Sequence, residues 1–327
     1  MAINTPALAK HGKFGFQLQE PLGESENIDI GDVDPIWLPL CEDPTFELQV
    51  NSALVDQADA HEYDYMEHSG GQWYAGTLAF HLYPSTTAIA DLLSWIQTRT
   101  TGNQCEFAHV WMIDRNGSLI RGAKDVKVNT ADFTFTRGQP IRCSLDLVGK
   151  KPAVSVPAQE DINDPLLAAY PFIMKDGSFQ YVPASGGSDV GYSFKDATVR
   201  IDTALQDPAE GVRWNGSYFP YALYNEGGLS CTGNFTRDFQ DQSLYDAWLM
   251  QHEIGSSGGY DWYETNYDGA LTVTIARGVS LVLTLPRVRL QHVSTGQRGS
   301  RRGTQDERAD FVALGSVDGT TAPITLA

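Results

Sequence analysis

The chain carries one long segment twice. Gly70, Gly71, then Gly76-Thr-Leu-Ala-Phe80-His-Leu82 and Ser85-Thr-Thr-Ala-Ile-Ala-Asp-Leu92 return as Gly227, Gly228, then Gly233-Asn-Phe-Thr-Arg237-Asp-Phe239 and Gln242-Ser-Leu-Tyr-Asp-Ala-Trp-Leu249. The register holds without a gap from the paired glycines to the last leucine. Upstream, Asp43-Pro-Thr-Phe-Glu-Leu48 with Ala53-Leu54 behind it answers to Asp196-Ala-Thr-Val-Arg-Ile201 with Ala204-Leu205 behind it. A period this long is not a solenoid repeat of roughly 20 to 50 residues but a whole small domain, so the expected architecture is two similar domains in tandem. Such a chain offers two equivalent edges, which suits the building of rings.

At 327 residues the chain exceeds the length, about 250 to 300, at which a single core usually stops growing. We expect an acidic N-terminal arm over 1–35, a first domain over 36–150, a Pro- and acid-rich linker over 151–165, a second domain over 166–318 and a tail over 319–327. No apolar run approaches the roughly 18 residues that cross a bilayer, the longest strand-like one being Val279-Ser-Leu-Val-Leu-Thr-Leu285. The amino-terminal Met1-Ala-Ile-Asn-Thr-Pro-Ala-Leu-Ala-Lys lacks the apolar core of a signal peptide, so the protein is expected to stay where it is made.

Period-2 patterns run through Phe46–Val50, Trp73–Leu82, Phe107–Ile113, Val126–Phe135, Ile141–Leu147, Thr198–Ile201, Leu271–Ile275, Val279–Leu285 and Ala309–Leu314, and predict a mainly β chain. Asn116-Gly117 and Asp268-Gly269 read as hairpin turns, because both dipeptides tolerate positive φ. Each half also carries one helix. Ser85 can cap a run with Ala88, Ile89, Leu92, Leu93 and Ile96 on one face, and Leu244, Ala247 and Trp248 recur at helical spacing before Gly255. The fold class is therefore mainly β (α+β): two tandem β-sandwich or half-barrel domains, each flanked by one helix. Gly76 and Gly233 fall inside strand patterns at equivalent places, where glycine marks a bulge or a close backbone approach.

The net charge of -18 is unevenly spread, with acids crowding the first quarter and Arg277, Arg287, Arg289, Arg298, Arg301, Arg302 and Arg308 gathered late. Head-to-tail stacking of subunits could use such an asymmetry, and a solvated acidic arm with a solvated basic loop would look the same. An acidic total argues against a protein that holds DNA, even though Gly296-Gln-Arg-Gly-Ser-Arg-Arg-Gly-Thr-Gln-Asp-Glu-Arg308 intersperses arginine with glycine.

A search for chemistry returns little. Cys41, Cys105, Cys143 and Cys231 are scattered and read as reduced, buried residues rather than disulfides or a zinc site. Asn116, Asn215 and Asn234 open glycosylation triplets that matter only in a secreted protein. The phosphate, zinc and dinucleotide motifs are missing. Gly255-Ser-Ser257-Gly-Gly259 matches the letters of a nucleophile elbow, yet a helix precedes it and a strand follows, the reverse of what the elbow needs. His61, His68 and His81 have no recognisable ligand spacing. Asp261-Trp-Tyr-Glu-Thr-Asn-Tyr-Asp268 could bind a sugar if Trp262, Tyr263 and Tyr267 lined a concave patch beside Glu264 or Asp261, but an exposed strand and turn explains it as well. No catalytic, cofactor-binding or metal residue is expected, and no enzyme.

Two domains, each with a leading Asp-x-Thr-apolar-x-apolar strand, a Gly-x-apolar strand, a capped helix, a hairpin and a closing strand near a glycine (Leu147-Val-Gly149 and Ala313-Leu-Gly315), resemble the duplicated major tail tube proteins of phages with long noncontractile tails, the siphophages. The resemblance covers roughly residues 36 to 150 and 165 to 318. It implies a virion structural protein without cofactors, made in the host cytoplasm, whose inner sheet pairs edge to edge with its neighbours around a lumen. A duplicated chain would form stacked trimeric rings of pseudo-sixfold symmetry. The implied partners are further copies of the chain, with tape-measure, tail-terminator and baseplate proteins. DNA would pass through the lumen without specific binding, and no membrane is involved. A negative lumen is expected, since Lys and Arg would release counterions from DNA and hold it. The alternatives are another tail, baseplate or capsid-decoration protein, or a carbohydrate-binding β-sandwich.

Overall fold

A computed structural model of the chain describes residues 12–19, 35–54, 67–99, 104–113, 120–153, 170–183, 194–212, 217–239, 241–252, 268–295, 306–315 and 322–326. The elements of the first half are β1 (Lys13–Leu18), β2 (Ile36–Pro39), β3 (Glu47–Leu54), β4 (Glu67–His81), α1 (Thr86–Gln97), β5 (Ala108–Ile113), β6 (Ile120–Thr136) and β7 (Arg142–Pro152). Those of the second are β8 (Gly177–Val182), β9 (Phe194–Asp202), β10 (Ser230–Asp238), α2 (Ser243–His252), β11 (Gly269–Arg277), β12 (Val279–Thr295), β13 (Asp306–Ala313) and β14 (Thr325–Leu326).

The chain is mainly β, and all of its pairings are antiparallel. Within the first half the strand order is β3-β4-β7-β6-β5-β1-β2, and within the second it is β9-β10-β13-β12-β11-β8. The order β3-β4-β7-β6-β5 is thus repeated by β9-β10-β13-β12-β11. The two halves share one hydrogen-bonded sheet, because β6 pairs with β9 from Thr130↔Asp202 to Thr136↔Asp196.

β6 does this by changing partners along its length. Its first residues pair with β5, with a register shift between Val110↔Ala123 and the last pair Ala108↔Val126, and beyond that pair the edge is taken by β9. At the shift Asp125 adopts φ 55°, and Gln19 clamps it reciprocally: the Gln19 amide donates to Asp125 Oδ1 at 3.1 Å and the Asp125 backbone N–H donates to Gln19 Oε1 at 3.1 Å. β12 extends past the expected Leu285 to Thr295. Pro286 is tolerated within it because it lies at the register shift between the Leu271↔Leu285 and Gly269↔Val288 pairs, where no ladder donor is required.

The window 1–35 contributes β1, which pairs with β5 and β2 and buries Phe14 and Phe16 completely. Asp268-Gly269 is not a hairpin turn. Asp268 is buried at the entry to β11, and the β11–β12 turn instead uses Gly278 at φ 79°. Asn116-Gly117 lies outside the described residues, between β5 and β6, which pair up to Ile113↔Ile120. The closing strands align on Gly149 and Ala313 rather than on Gly149 and Gly315, since Gly76 faces Leu147 and Gly233 faces Phe311.

Both helices stand where expected. The Ser85 side chain accepts from the Ala88 N–H and starts α1, which buries Ala88, Ile89, Leu92, Leu93, Trp95 and Ile96. Trp95 stacks on Phe16 at 5.3 Å and donates its indole N–H to Val126 O at 3.2 Å. In α2, Leu244 is fully buried and Trp248 donates to Gln291 O at 3.3 Å. One apolar cluster runs through both halves, so Phe135 of the first meets Phe179 of the second, which in turn packs on Phe194 and Phe235.

Candidate assembly surface

Neighbouring residues across a sheet share a face, so the register sorts the side chains of the eight consecutive strands β3-β4-β7-β6-β9-β10-β13-β12. One row crosses as Phe80, Cys143, Phe133, Val199, Gly233 and Phe311, and its side chains lie in the apolar core. The next row crosses as Ala79, Ser144, Asp132, Arg200, Thr232 and Val312. Apolar residues therefore go to one side and small polar or charged residues to the other. Gly233 is forced by its row: a Cβ there would stand 2.2 Å from Thr198 O and 2.5 Å from the Phe311 ring. Gly76 has φ 142° and its Cβ would meet Thr45 O at 2.3 Å, so both glycines of the repeat serve close strand packing.

The polar face is concave at its centre, in a groove lined among others by Asp132, Arg142, Ser144, Thr198, Arg200, Asn234 and Asp310. By the same register it carries the carboxylates Glu47, Asp132, Asp146, Asp196, Asp202 and Asp310 and the cations Arg142, Arg200, Arg289, Arg308 and the buried Lys127. Each of these arginines meets an acid of the same chain: Arg200 with Asp132 at 3.4 Å, Arg308 with Asp310 at 3.1 Å, Arg142 with Glu42 at 2.6 Å and Arg289 with Asp268 at 3.0 Å. Burial raises the Asp132 carboxyl, with Arg200 opposing the shift and Asp146 adding to it. His81 also lies on this face, opposite Arg142, and burial holds its imidazole below its ordinary range.

Two edges of this run have no strand partner among the described residues. β3 pairs with β4 alone, and beyond Val288 the edge of β12 that carries β11 has no strand partner. α2 covers its start, where the Leu290 N–H donates to Gln251 Oε1 at 2.7 Å and Trp248 donates to Gln291 O, and 292–295 follow. Leu48 and Val50 stand on β3 exposed at 42% and 48%.

The joint between the halves is also locked by polar contacts. Lys127 is buried to 1% exposure and donates to Leu223 O at 2.7 Å, Asn225 Oδ1 at 3.0 Å and Gln104 Oε1 at 3.1 Å. Burial pulls its ammonium down to about 8. Asn225 in turn accepts from the Cys105 N–H at 3.0 Å and donates to Thr203 O at 2.9 Å. The segment between β9 and β10 is thereby fastened to the first half.

The other sequence candidates do not converge. Gly255–Gly259, Asp261–Tyr267, His61 and the Arg298, Arg301 and Arg302 cluster lie outside the described residues, as do Asn116 and Asn215. Among the described residues, no three His, Cys, Asp or Glu side chains gather as a metal site at His81 or elsewhere. Asp268 binds Arg287 at 2.7 Å and Arg289 at 3.0 Å and anchors β12. Cys105, Cys143 and Cys231 are buried free thiols, and burial pushes Cys231 up to about 12. No described helix is long and apolar enough to cross a membrane. The β6–β9 joint was invisible in the sequence because period-2 patterns specify faces, not neighbours; the Asp132 and Arg200 alternation was the available signal.

No curated protein matches the chain. A family model described as "Phage tail tube protein" does match, over residues 38–313, which include all of the eight-strand run and both helices. The chain belongs to the phage tail tube protein family and is a structural component of the phage tail.

Proposed function

We propose that the protein is the major tail tube subunit of a siphophage, arising from a duplicated domain and assembling as stacked trimeric rings of pseudo-sixfold symmetry. The hollow tube is the conduit through which DNA leaves the particle. The observation that carries this reading is the β6–β9 pairing, in which one half already extends its sheet into the next. Two halves joined edge to edge, with an edge at each end that has no strand partner among the described residues, form a repeating unit. Closing such units into a ring removes the exposed edges, and a heterologous contact that closes gives a ring.

Three copies of eight strands give 24. At a strand spacing of about 4.8 Å, the backbone diameter is about 37 Å for untilted strands and about 48 Å at a tilt of about 40°. Side chains reaching inward by about 5 Å leave room for a DNA duplex about 20 Å across. The concave polar face lines that lumen. Each of its arginines is matched by an acid of the same chain, which leaves little net positive charge to release counterions and so keeps the phosphates moving.

Assembly starts on a baseplate-side initiator and around a tape-measure protein, and a tail terminator ends it; the protein is made in the host cytoplasm and resides in the virion tail. Negative-stain microscopy of the purified chain over a concentration series tests the reading. Hollow tubes or stacked rings with threefold or pseudo-sixfold end views are expected. Closed particles that never extend would point to a terminator, baseplate or decoration role instead.

A further inference from the structure

β6 and β12 are the same element twice. Each has 17 residues, each shifts register against its hairpin partner, and each shifts again against its closing strand, between Val128/Thr130 and between Leu290/His292. Superimposing these irregularities places Ala131 on Val293, Asp132 on Ser294 and Phe133 on Thr295. Likewise Arg200 faces Thr232 as Glu47 faces Ala75, which places β9 on β3 with Ile201 on Leu48.

We propose that the edge of β12 at 292–295 adds to β3 of a second copy of this chain, antiparallel, with Val293 opposite Leu48 and Ser294 opposite Glu47. This rests on the tail-tube reading and gives its ring contact a register. Burial supports it: Ile201, covered by β6, is 0% exposed, whereas its counterpart Leu48 is 42% exposed. Val293 offers the apolar partner that Ala131 offers inside the chain. The charges agree as well. Arg200 faces Asp132 in the internal joint, and where Glu47 replaces the arginine, Ser294 replaces the aspartate, so a carboxylate meets a hydroxyl donor instead of a like charge. Aligning the halves on Gly149 and Gly315 would instead set Glu47 opposite His292.

Oxidative cross-linking of assembled protein decides between these registers, in a Cys41→Ser background. Directly opposed residues have the Cα separation a disulfide requires. Glu47→Cys with Ser294→Cys is expected to yield covalent three-copy species on denaturing gels, at least about tenfold more than Glu47→Cys with His292→Cys. Predominant cross-linking of the His292 pair would overturn the register. Tubes in which neither pair cross-links would overturn the β3–β12 contact and leave the tail-tube reading standing. A chain that stays monomeric and uncross-linked at every concentration would overturn both.

Discussion

Arg237 faces Glu307 across β10 and β13, fully buried, with Nε to Oε2 at 2.6 Å. The same cross-strand position in the first half holds Phe80 and Cys143. A buried ion pair gains little over an apolar pair of similar volume, while a charge left alone is costly. Arg237→Met is therefore expected to destabilise the protein by about 3 to 5 kcal/mol, and Arg237→Phe with Glu307→Cys to recover most of the loss. Urea unfolding of the two variants checks this; equal losses in both would refute it. Lys127 gives a pH signature. Its folded pKa lies below its unfolded value, so the unfolded chain binds the extra proton, and this group's contribution to stability rises with pH between about 8 and about 10.5. Wild type should gain up to about 1.4 kcal/mol per pH unit in that window relative to Lys127→Met. Parallel pH profiles of the two proteins would contradict the buried ammonium.

At the scale of elements, β1 is held by Phe14 and Phe16, which stack with Phe80 and Trp95 around the end of α1. Phe16→Ala should cost about 3 to 5 kcal/mol, as the loss of any filled core aromatic does, and a change under about 1 kcal/mol in chemical denaturation would mean that β1 is not part of the core. This strand was hard to read because Phe14, Phe16 and Leu18 form a short alternation in a window where acidic residues dominate. By contrast α1 was legible apart from the buried Trp95: a capping serine and a five-residue apolar face define a helix locally, without reference to neighbours. β12 was half legible. Its alternation through Leu285 is plain, but Pro286 ends a strand by any local rule, and only the register shift opposite it, which depends on β11, allows the strand to continue to Thr295. The polar face was likewise legible strand by strand, as Asp132-Phe133-Thr134 and Thr198-Val199-Arg200. Its union into one concave surface depends on pairings between residues over 60 positions apart, which no local pattern encodes.

For the whole molecule, the repeated strand order and the internal joint are what the proposed tube subunit would use for both a ring contact and a lumen wall. The carboxylates of the proposed wall make a prediction of their own. Replacing Asp132, Asp202 and Asp310 with lysine should convert tubes that ignore DNA into tubes that retain it, with an affinity that falls steeply as salt is raised. DNA retention measured by co-sedimentation over a salt series reads this out, and wild-type tubes that retain DNA equally would refute the assigned face. The most direct test of the central claim is a helical reconstruction of assembled tubes by electron cryomicroscopy. The account predicts threefold rings whose inner wall is one continuous 24-stranded barrel, with β12 of each copy beside β3 of the next and Asp132, Asp202 and Asp310 facing the lumen. Rings whose β3 and β12 edges do not meet, or whose polar face points away from the channel, would contradict it.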